Sequence, residues 1–569
     1  MEFDSVLKEV GEFGRYQKIR LTMLGFPALI GVLHLFLQVF AAGKSNHWCQ
    51  SWQSEDCGVL NLTQVQCENF KREISIPVTV GEDNETSFEQ CKKFNVTGVD
   101  FETAIGIVGE NVSQKTIPCD EGWVHDQSMF PSTIIIDFQL VCEKSYLPNI
   151  AQSIYFAGKL LGVLVFGIAG DMFGRRKVQL FSYVCGSLLA FASTFSLNFW
   201  MYVVLRFLTS VFFSGVGINC FVLANELVGP SRRVLAGNVF WIYFSVGYGV
   251  LAGLAKLIPN WRILQFVVTL PYIPLLVLTY FFIPESPRWL VNQGRSDEAE
   301  KVMRKIAKEN EMTLREDFTM KNCTKDEIQN SSTLKESFLE VIRNRVILLM
   351  MLNMTLNWVV QAFVYYGLSL STSSLGIDPY ISFLISGAIE IPAYSSCIFV
   401  AEWFGRKKTT FFTLILSGIA CSFTPFVPYG ILRALVASLG KFFITMSFSV
   451  VISWAVELLP TSLRTSGISI FSMSSRIGSV LAPVILLLED TWSSLPVLFF
   501  GFMSIVIAFL CLLFPETKGK FLPSTVREAE GLHSDRNLAF DAEPEEVPTD
   551  HGDGGKLKTP HVPESQKQP

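Results

Sequence analysis

Four charged side chains fall near the expected midplane of apolar runs long enough to cross a bilayer: Lys159, Glu390, Lys441 and Arg476. Arg476 lies in the middle of FSMSSRIGSVLAP (471–483), within an apolar run over about 468–488. An arginine at the centre of a membrane helix costs roughly 2.5–3.5 kcal/mol on insertion scales, so it needs a partner or a watery cavity. Its planar guanidinium suits bidentate recognition of a carboxylate or sulfate. It equally suits a structural salt bridge, with Glu390 as a candidate partner. Lys159 has three readings: a partner of Glu390, a substrate contact, or a side chain that snorkels to the surface. Lys441, in Gly440-Lys441-Phe442, is a substrate contact or a structural cation. Glu390, in Ala388-Ile389-Glu390-Ile391-Pro392, either holds the cationic end of a substrate or neutralises a nearby cation. Aromatic side chains supply walls. Trp358, Tyr365 and Tyr366 fall at near-helical spacing with Gln361 between them, and Trp241 and Tyr243 lie in another apolar run. Such rings stack on aromatic ligands or hold cations on their π faces, and they also serve as ordinary packing.

The elements that must position these residues follow from composition. Half of the 569 residues are hydrophobic, 17% are charged and the mean hydropathy is +0.37. Soluble domains average about 25% charged, so the chain reads as an all-α, polytopic membrane protein. Twelve spans are expected, near 21–43, 149–170, 178–197, 201–225, 236–257, 263–283, 345–370, 379–401, 409–428, 430–454, 466–488 and 495–514. Cations cluster in alternate loops, at Arg175-Arg176-Lys177, Arg232-Arg233, Arg406-Lys407-Lys408 and Arg464, which puts those loops and both termini in the cytoplasm. The expected organisation is a cytoplasmic N-terminus (1–20), a six-helix half (21–283) carrying an extracellular loop (44–147), a cytoplasmic linker with helices (284–344), a second six-helix half (345–514) and a cytoplasmic tail (515–569), disordered from about 533. No basic domain supports a nucleic-acid partner, and no G-x-x-x-x-G-K-[ST] pattern supports an ATP-driven pump.

Six of the twelve cysteines, Cys49, Cys57, Cys67, Cys91, Cys119 and Cys142, fall in the 44–147 loop with four N-x-S/T sequons, at Asn61, Asn84, Asn95 and Asn111. Together they indicate three disulfides of open connectivity on an extracellular, glycosylated loop. No C-x-x-C pair points to a zinc module, and neither a metal nor another cofactor is expected.

Three landmarks recur at one offset of 231 residues: Phe173-Gly174-Arg175 with Phe404-Gly405-Arg406, Glu226-Leu227 with Glu457-Leu458, and Pro284-Glu285 with Pro515-Glu516. They occupy equivalent loops, which argues for two six-helix halves in parallel. Asp171, Arg175, Arg176, Glu226, Arg232, Glu285, Arg288, Arg406, Glu457 and Arg464 sit at the expected cytoplasmic helix ends. Opposite charges there can form salt bridges that close the inside and break when the halves rock.

Gly170-Asp171-Met172-Phe173-Gly174-Arg175-Arg176 resembles the loop motif of the major facilitator superfamily. PESPRWL (284–290) and Pro515-Glu516-Thr517 resemble its sugar and organic-ion branch. Gly122-Trp123, Ser132-Thr133-Ile134, Leu140-Val141-Cys142-Glu143, Asn260-Trp261-Arg262 and ELLPT (457–461), with the cysteine-rich first loop, are similar to the organic ion transporter family, solute carrier family 22. The likeness runs from near the N-terminus to about Gly519. It implies a twelve-helix carrier without enzymatic chemistry, working by alternating access from the plasma membrane on small organic ions. Spans 3, 6, 9 and 12 would be peripheral. Trp358 and Tyr365 resemble the family's cavity aromatics, and Glu390 and Lys441 resemble family positions. Cation transporters of this family commonly carry aspartate where this chain has Arg476, whereas anion and carnitine-type transporters carry arginine. Anion transporters tend to carry lysine where this chain has Tyr394, as the carnitine-type branch does. The expected substrate is therefore an organic anion or a carnitine-like zwitterion. The alternatives are a polyspecific organic cation transporter and a non-transporting, receptor-like membrane protein. A co-transported or exchanged ion, membrane lipid and a homo-oligomer formed through the extracellular loop complete the partners left open.

Overall fold

The computed structural model describes residues 3–51, 64–80, 86–95, 116–229, 232–313, 319–320, 343–374, 376–460, 463–520, 523 and 528–531. Ten helices among these are long and apolar enough to cross a membrane. Leu495–Cys511 is a shorter apolar helix, and Arg175–Ser193, whose first turn is Arg175-Arg176-Lys177, completes twelve spans. In order they are Arg15–Ala41, Leu147–Phe173, Arg175–Ser193, Phe199–Glu226, Arg233–Leu257, a sixth in two pieces (Trp261–Thr269 and Tyr272–Phe282), Arg345–Leu370, an eighth in two pieces (Pro379–Ala388 and Glu390–Phe404), Arg406–Phe423, Ile431–Leu458, Arg464–Ile485 and Leu495–Cys511.

Caps and prolines set the ends and breaks. Asn198, Asn260, Asn344 and Asp378 each accept backbone N–H bonds from the first turn that follows, satisfying donors the helix leaves orphaned. Span 6 breaks next to Pro271, and span 8 breaks at Ile389, just before Glu390. Pro392 lacks the N–H that would have bonded the Ala388 carbonyl, so the break falls where the ladder is already lost. Glu390 thereby opens a new helical piece, where the helix dipole favours a carboxylate.

Span 2 packs on span 4 and span 7 on span 11 within the halves, while span 2 against span 11 and span 5 against span 8 join the halves. The span 5–span 8 approach depends on Gly387: a Cβ there would lie 2.2 Å from Cβ of Tyr248. Ion pairs also join the halves on the face that carries the long loop, Lys44 with Glu489 at 3.0 Å and Lys256 with Asp378 at 3.5 Å. Phe40 stacks on Tyr380 on the same side. Among the described residues, each ion pair between spanning elements on the opposite, linker-bearing face stays within its own half, Arg175 with Asp171 and Glu226 in the first and Arg406 with Glu457 in the second.

Cys49–Cys119 and Cys91–Cys142 are bonded, and Cys67 is bonded too; Cys57 lies outside the described residues. Asn95 is exposed, while Asn61, Asn84 and Asn111 lie outside the described residues, as does the tail from 533. The Asn260-Trp261-Arg262 motif anchors the loop: Trp261 Nε1 and Arg262 Nε donate to Asp137 at 3.0 and 3.2 Å. On the linker face, helix Ser296–Glu309 docks on the N-terminal segment, where Val6, Leu7 and Val10 pack with Met303 and Ile306. Arg20 grips Glu309 through two bonds of 2.7 and 3.0 Å.

Candidate functional site

The helix break in span 8 delivers Glu390 to a fully buried position between the halves. Its partner is Lys441 of span 10, whose Nζ lies 2.9 Å from Oε1. Tyr365 of span 7 donates to Oε1 at 2.6 Å, and Ser245 of span 5 donates to Oε2 at 3.2 Å. Lys441 also donates to Ser386 Oγ at 2.8 Å and sits over the Tyr248 ring at 4.3 Å. Each charge is thus met by an opposite charge and by further hydrogen bonds, the condition under which a buried pair is tolerated. Of the partners left open by sequence, Arg476 and Lys159 are not the ones Glu390 takes.

That leaves two cations. Arg476 of span 11 and Lys159 of span 2 come from different halves, and each is partly accessible. They lie close enough to act on one another electrostatically. Among the described residues neither has a carboxylate within 4 Å, and the buried Nε of Arg476 has no hydrogen-bond partner. Tyr366 faces the Arg476 guanidinium, and its ring packs on Phe156 of span 2 at 5.0 Å. Two cations from different halves, near one another and without a carboxylate partner among the described residues, make a place that can receive one anionic group.

The aromatics divide. Trp358 packs between Phe448 and Phe471, ring centres 5.6 and 6.1 Å away, and among the described residues its buried Nε1 has no partner. Trp241 stacks on Tyr394 across the halves at 5.9 Å. Tyr243, two residues on, packs against Gly25 and Phe26 of span 1 instead and stays away from the charges. Gln361 is buried and donates to Asn357 at 3.0 Å.

The residues proposed for gating form two matching braces. Arg175 reaches Asp171 at 2.7 Å and Glu226 at 3.4 Å, and Arg406 reaches Glu457 at 2.9 Å. Glu285 accepts the Arg176 N–H at 3.1 Å, and Glu516 accepts the N–H groups of Arg406 and Lys407 at 2.8 and 3.1 Å. Gly174 and Gly405, with φ of +103° and +86°, make the turns, and a Cβ on either would sit 2.5 Å from the facing carboxylate. Arg288 acts on Glu226 as a further cation, Arg232 is exposed, and Arg464 donates to the Val456 and Leu459 carbonyls. Every brace stays within its own half in this arrangement.

Sequence reasoning missed several neighbours. Tyr248, Ser245 and Ser386 surround the buried pair but carry no charge to mark them. Arg206 of span 4 was marked by its charge: it is buried, donates to the His34 carbonyl at 3.1 Å and lies over the Tyr155 ring at 4.3 Å.

The family described as "Sugar (and other) transporter" matches residues 95–528. Solute carrier family 22 member 6 of Oryctolagus cuniculus is 30% identical over 535 residues, 93% of this chain and 94% of that protein. Solute carrier family 22 member 13 of Homo sapiens is 33% identical over 533 residues, 93% of each. The organic cation transporter protein of Drosophila melanogaster is 32% identical over 541 residues, 94% of this chain and 95% of that protein. In fold, the chain is similar to the inward open conformation of the xylose transporter XylE from E. coli, with a TM-score of 0.55 at 19% identity, over 70% of this chain and 93% of that one.

Proposed function

Because the chain belongs to the sugar (and other) transporter family and, within it, to solute carrier family 22, we propose that it carries an organic anion across the plasma membrane by alternating access. The observation that carries this reading is the division of charge at the centre. Glu390 is consumed by Lys441, Tyr365 and Ser245, while Arg476 and Lys159 have no acidic partner among the described residues. Arg476 holds the carboxylate or sulfate, Lys159 adds the second charge from the other half, and Tyr366, Trp358 and the Trp241–Tyr394 stack contact the organic body. A zwitterion would need a free acidic group for its cationic end. Glu390 is a poor candidate, since binding there must first break a buried ion pair.

The like charges of Lys159 and Arg476 repel as the halves approach, and a bound anion cancels that repulsion, so occupancy favours the movement. The loop face is extracellular and the linker face cytoplasmic, with both termini inside. The contacts at Lys44, Lys256 and Phe40 close the outside, and the paired braces at Arg175 and Arg406 swap partners between halves when the inside closes.

The reading is tested by uptake in cells expressing the chain, with an aromatic carboxylate, a sulfated steroid, a carnitine-like zwitterion and a quaternary ammonium compared. Uptake of the two anions is expected. Uptake of the quaternary ammonium alone would overturn the anion assignment.

A further inference from the structure

The ribbon at the base of the loop brings together two histidines far apart in the sequence. His47 of strand His47–Cys49 pairs directly with His125 of strand Trp123–His125. The flanking ladder bonds run from Asp126 N to the Asn46 carbonyl at 2.8 Å and from Gln50 N to the Gly122 carbonyl at 3.0 Å. Bonded and non-bonded pairs alternate along an antiparallel ribbon, so 47–125 is a non-bonded pair, the kind whose side chains approach closest. The ring centres are 5.7 Å apart. Two imidazoles on one tetrahedral zinc, each nitrogen about 2 Å from the metal, hold their ring centres on the order of 5 Å apart.

Both rings turn their Nδ1 edge toward Ser45. His47 Nδ1 lies 3.3 Å from the Ser45 carbonyl, and His125 Nδ1 lies 3.5 Å from Ser45 Oγ. A carbonyl only accepts, so His47 Nδ1 carries the proton and Nε2 presents a lone pair. Metal-binding histidines are commonly backed by a carbonyl in this way. The Nε2 edges of both rings therefore face away from Ser45. Gln139 brings its side chain up to the His125 ring. Among the described residues, neither His125 Nε2 nor Gln139 Oε1, both buried, has a hydrogen-bond partner. Cys142 Sγ lies 3.9 Å from His47 Nε2, but in its disulfide with Cys91 it has no thiolate to offer and only lines the site.

We propose that His47 Nε2, His125 Nε2 and Gln139 Oε1 form a binding site for a divalent cation of the zinc type, with water completing the tetrahedron. Two imidazoles and a neutral oxygen select zinc over magnesium, which prefers an all-oxygen, octahedral shell.

The test is isothermal titration of the purified full-length chain in lipid nanodiscs with zinc chloride near neutral pH, with magnesium chloride as the control. Saturable binding of one zinc per chain in the micromolar range is expected, with no magnesium signal. His47→Gln and His125→Gln should each weaken binding about tenfold or more while keeping uptake, which certifies their folding. Gln139→Leu, placed outside the ribbon, should weaken it less and serves if a histidine variant fails to fold. No zinc binding by the parent chain, or binding that all three variants retain, would overturn the proposal.

Discussion

Removing the carboxylate at position 390 separates the two kinds of membrane charge in this chain. Glu390 is 0% and Lys441 2% exposed, and they meet at 2.9 Å. Glu390→Gln keeps the shape and leaves Lys441 with only neutral partners. Breaking a buried pair from one side costs about 3–5 kcal/mol, most of it the penalty of the orphaned charge. At about 1.4 kcal/mol per tenfold, the folded-to-unfolded ratio falls roughly a hundredfold to several-thousandfold. Lys441→Met removes the orphan, so the double variant should recover most of that loss. Arg476→Gln deletes a cation that has no acidic partner among the described residues, so it should leave stability unchanged or raised while uptake is lost. Thermal unfolding of the three purified variants, read beside surface expression and uptake, measures these effects. Full stability of Glu390→Gln would refute the account of the pair. A loss in Arg476→Gln as large as in Glu390→Gln would mean that Arg476 is a structural partner.

Gly387→Val should push Tyr248 out of its socket, where a Cβ would come within 2.2 Å, and lower uptake by about tenfold or more at equal surface expression, with Gly387→Ala milder. Lys44→Glu places like charges across the halves on the loop face, so it should favour opening there and raise labelling of a cavity cysteine by an impermeant thiol reagent. Adding Glu489→Lys should reverse the effect. Acid should loosen the ribbon at the loop base. His47 and His125 have folded values below the ordinary 6.5, so their contribution is complete above 6.5 and is lost as pH falls through the folded values. Amide exchange of Trp48 and Val124, compared at roughly pH 7.5 and 5, should show the loss of protection at the lower pH only.

The sequence carried depth along each span but little about direction around it. The apolar runs located the spans to within a few residues, and the linker expected to carry helices forms one at Ser296–Glu309. The breaks at Pro271 and Ile389 were invisible to hydropathy, because they interrupt backbone bonding rather than apolar composition. Depth placed Glu390 level with three cations, and only the facing of spans 8 and 10 selects Lys441. Trp241 and Tyr243 stand two residues apart, about 200° around a helix, so periodicity already forbade both from facing one cavity. The braces were legible: Arg175 to Glu226 and Arg406 to Glu457 repeat one spacing in both halves. Arg206 was legible as well, an unmatched charge within an apolar run.

The central claim is that Arg476 receives the anionic group of the substrate. Carboxylate uptake by Arg476→Asp, compared with the parent chain at matched surface expression, tests it most directly. The account predicts that uptake vanishes while the protein still reaches the surface and unfolds at the parent's temperature. Uptake at the parent's rate would remove Arg476 from the site and leave Lys159 as the cation to examine.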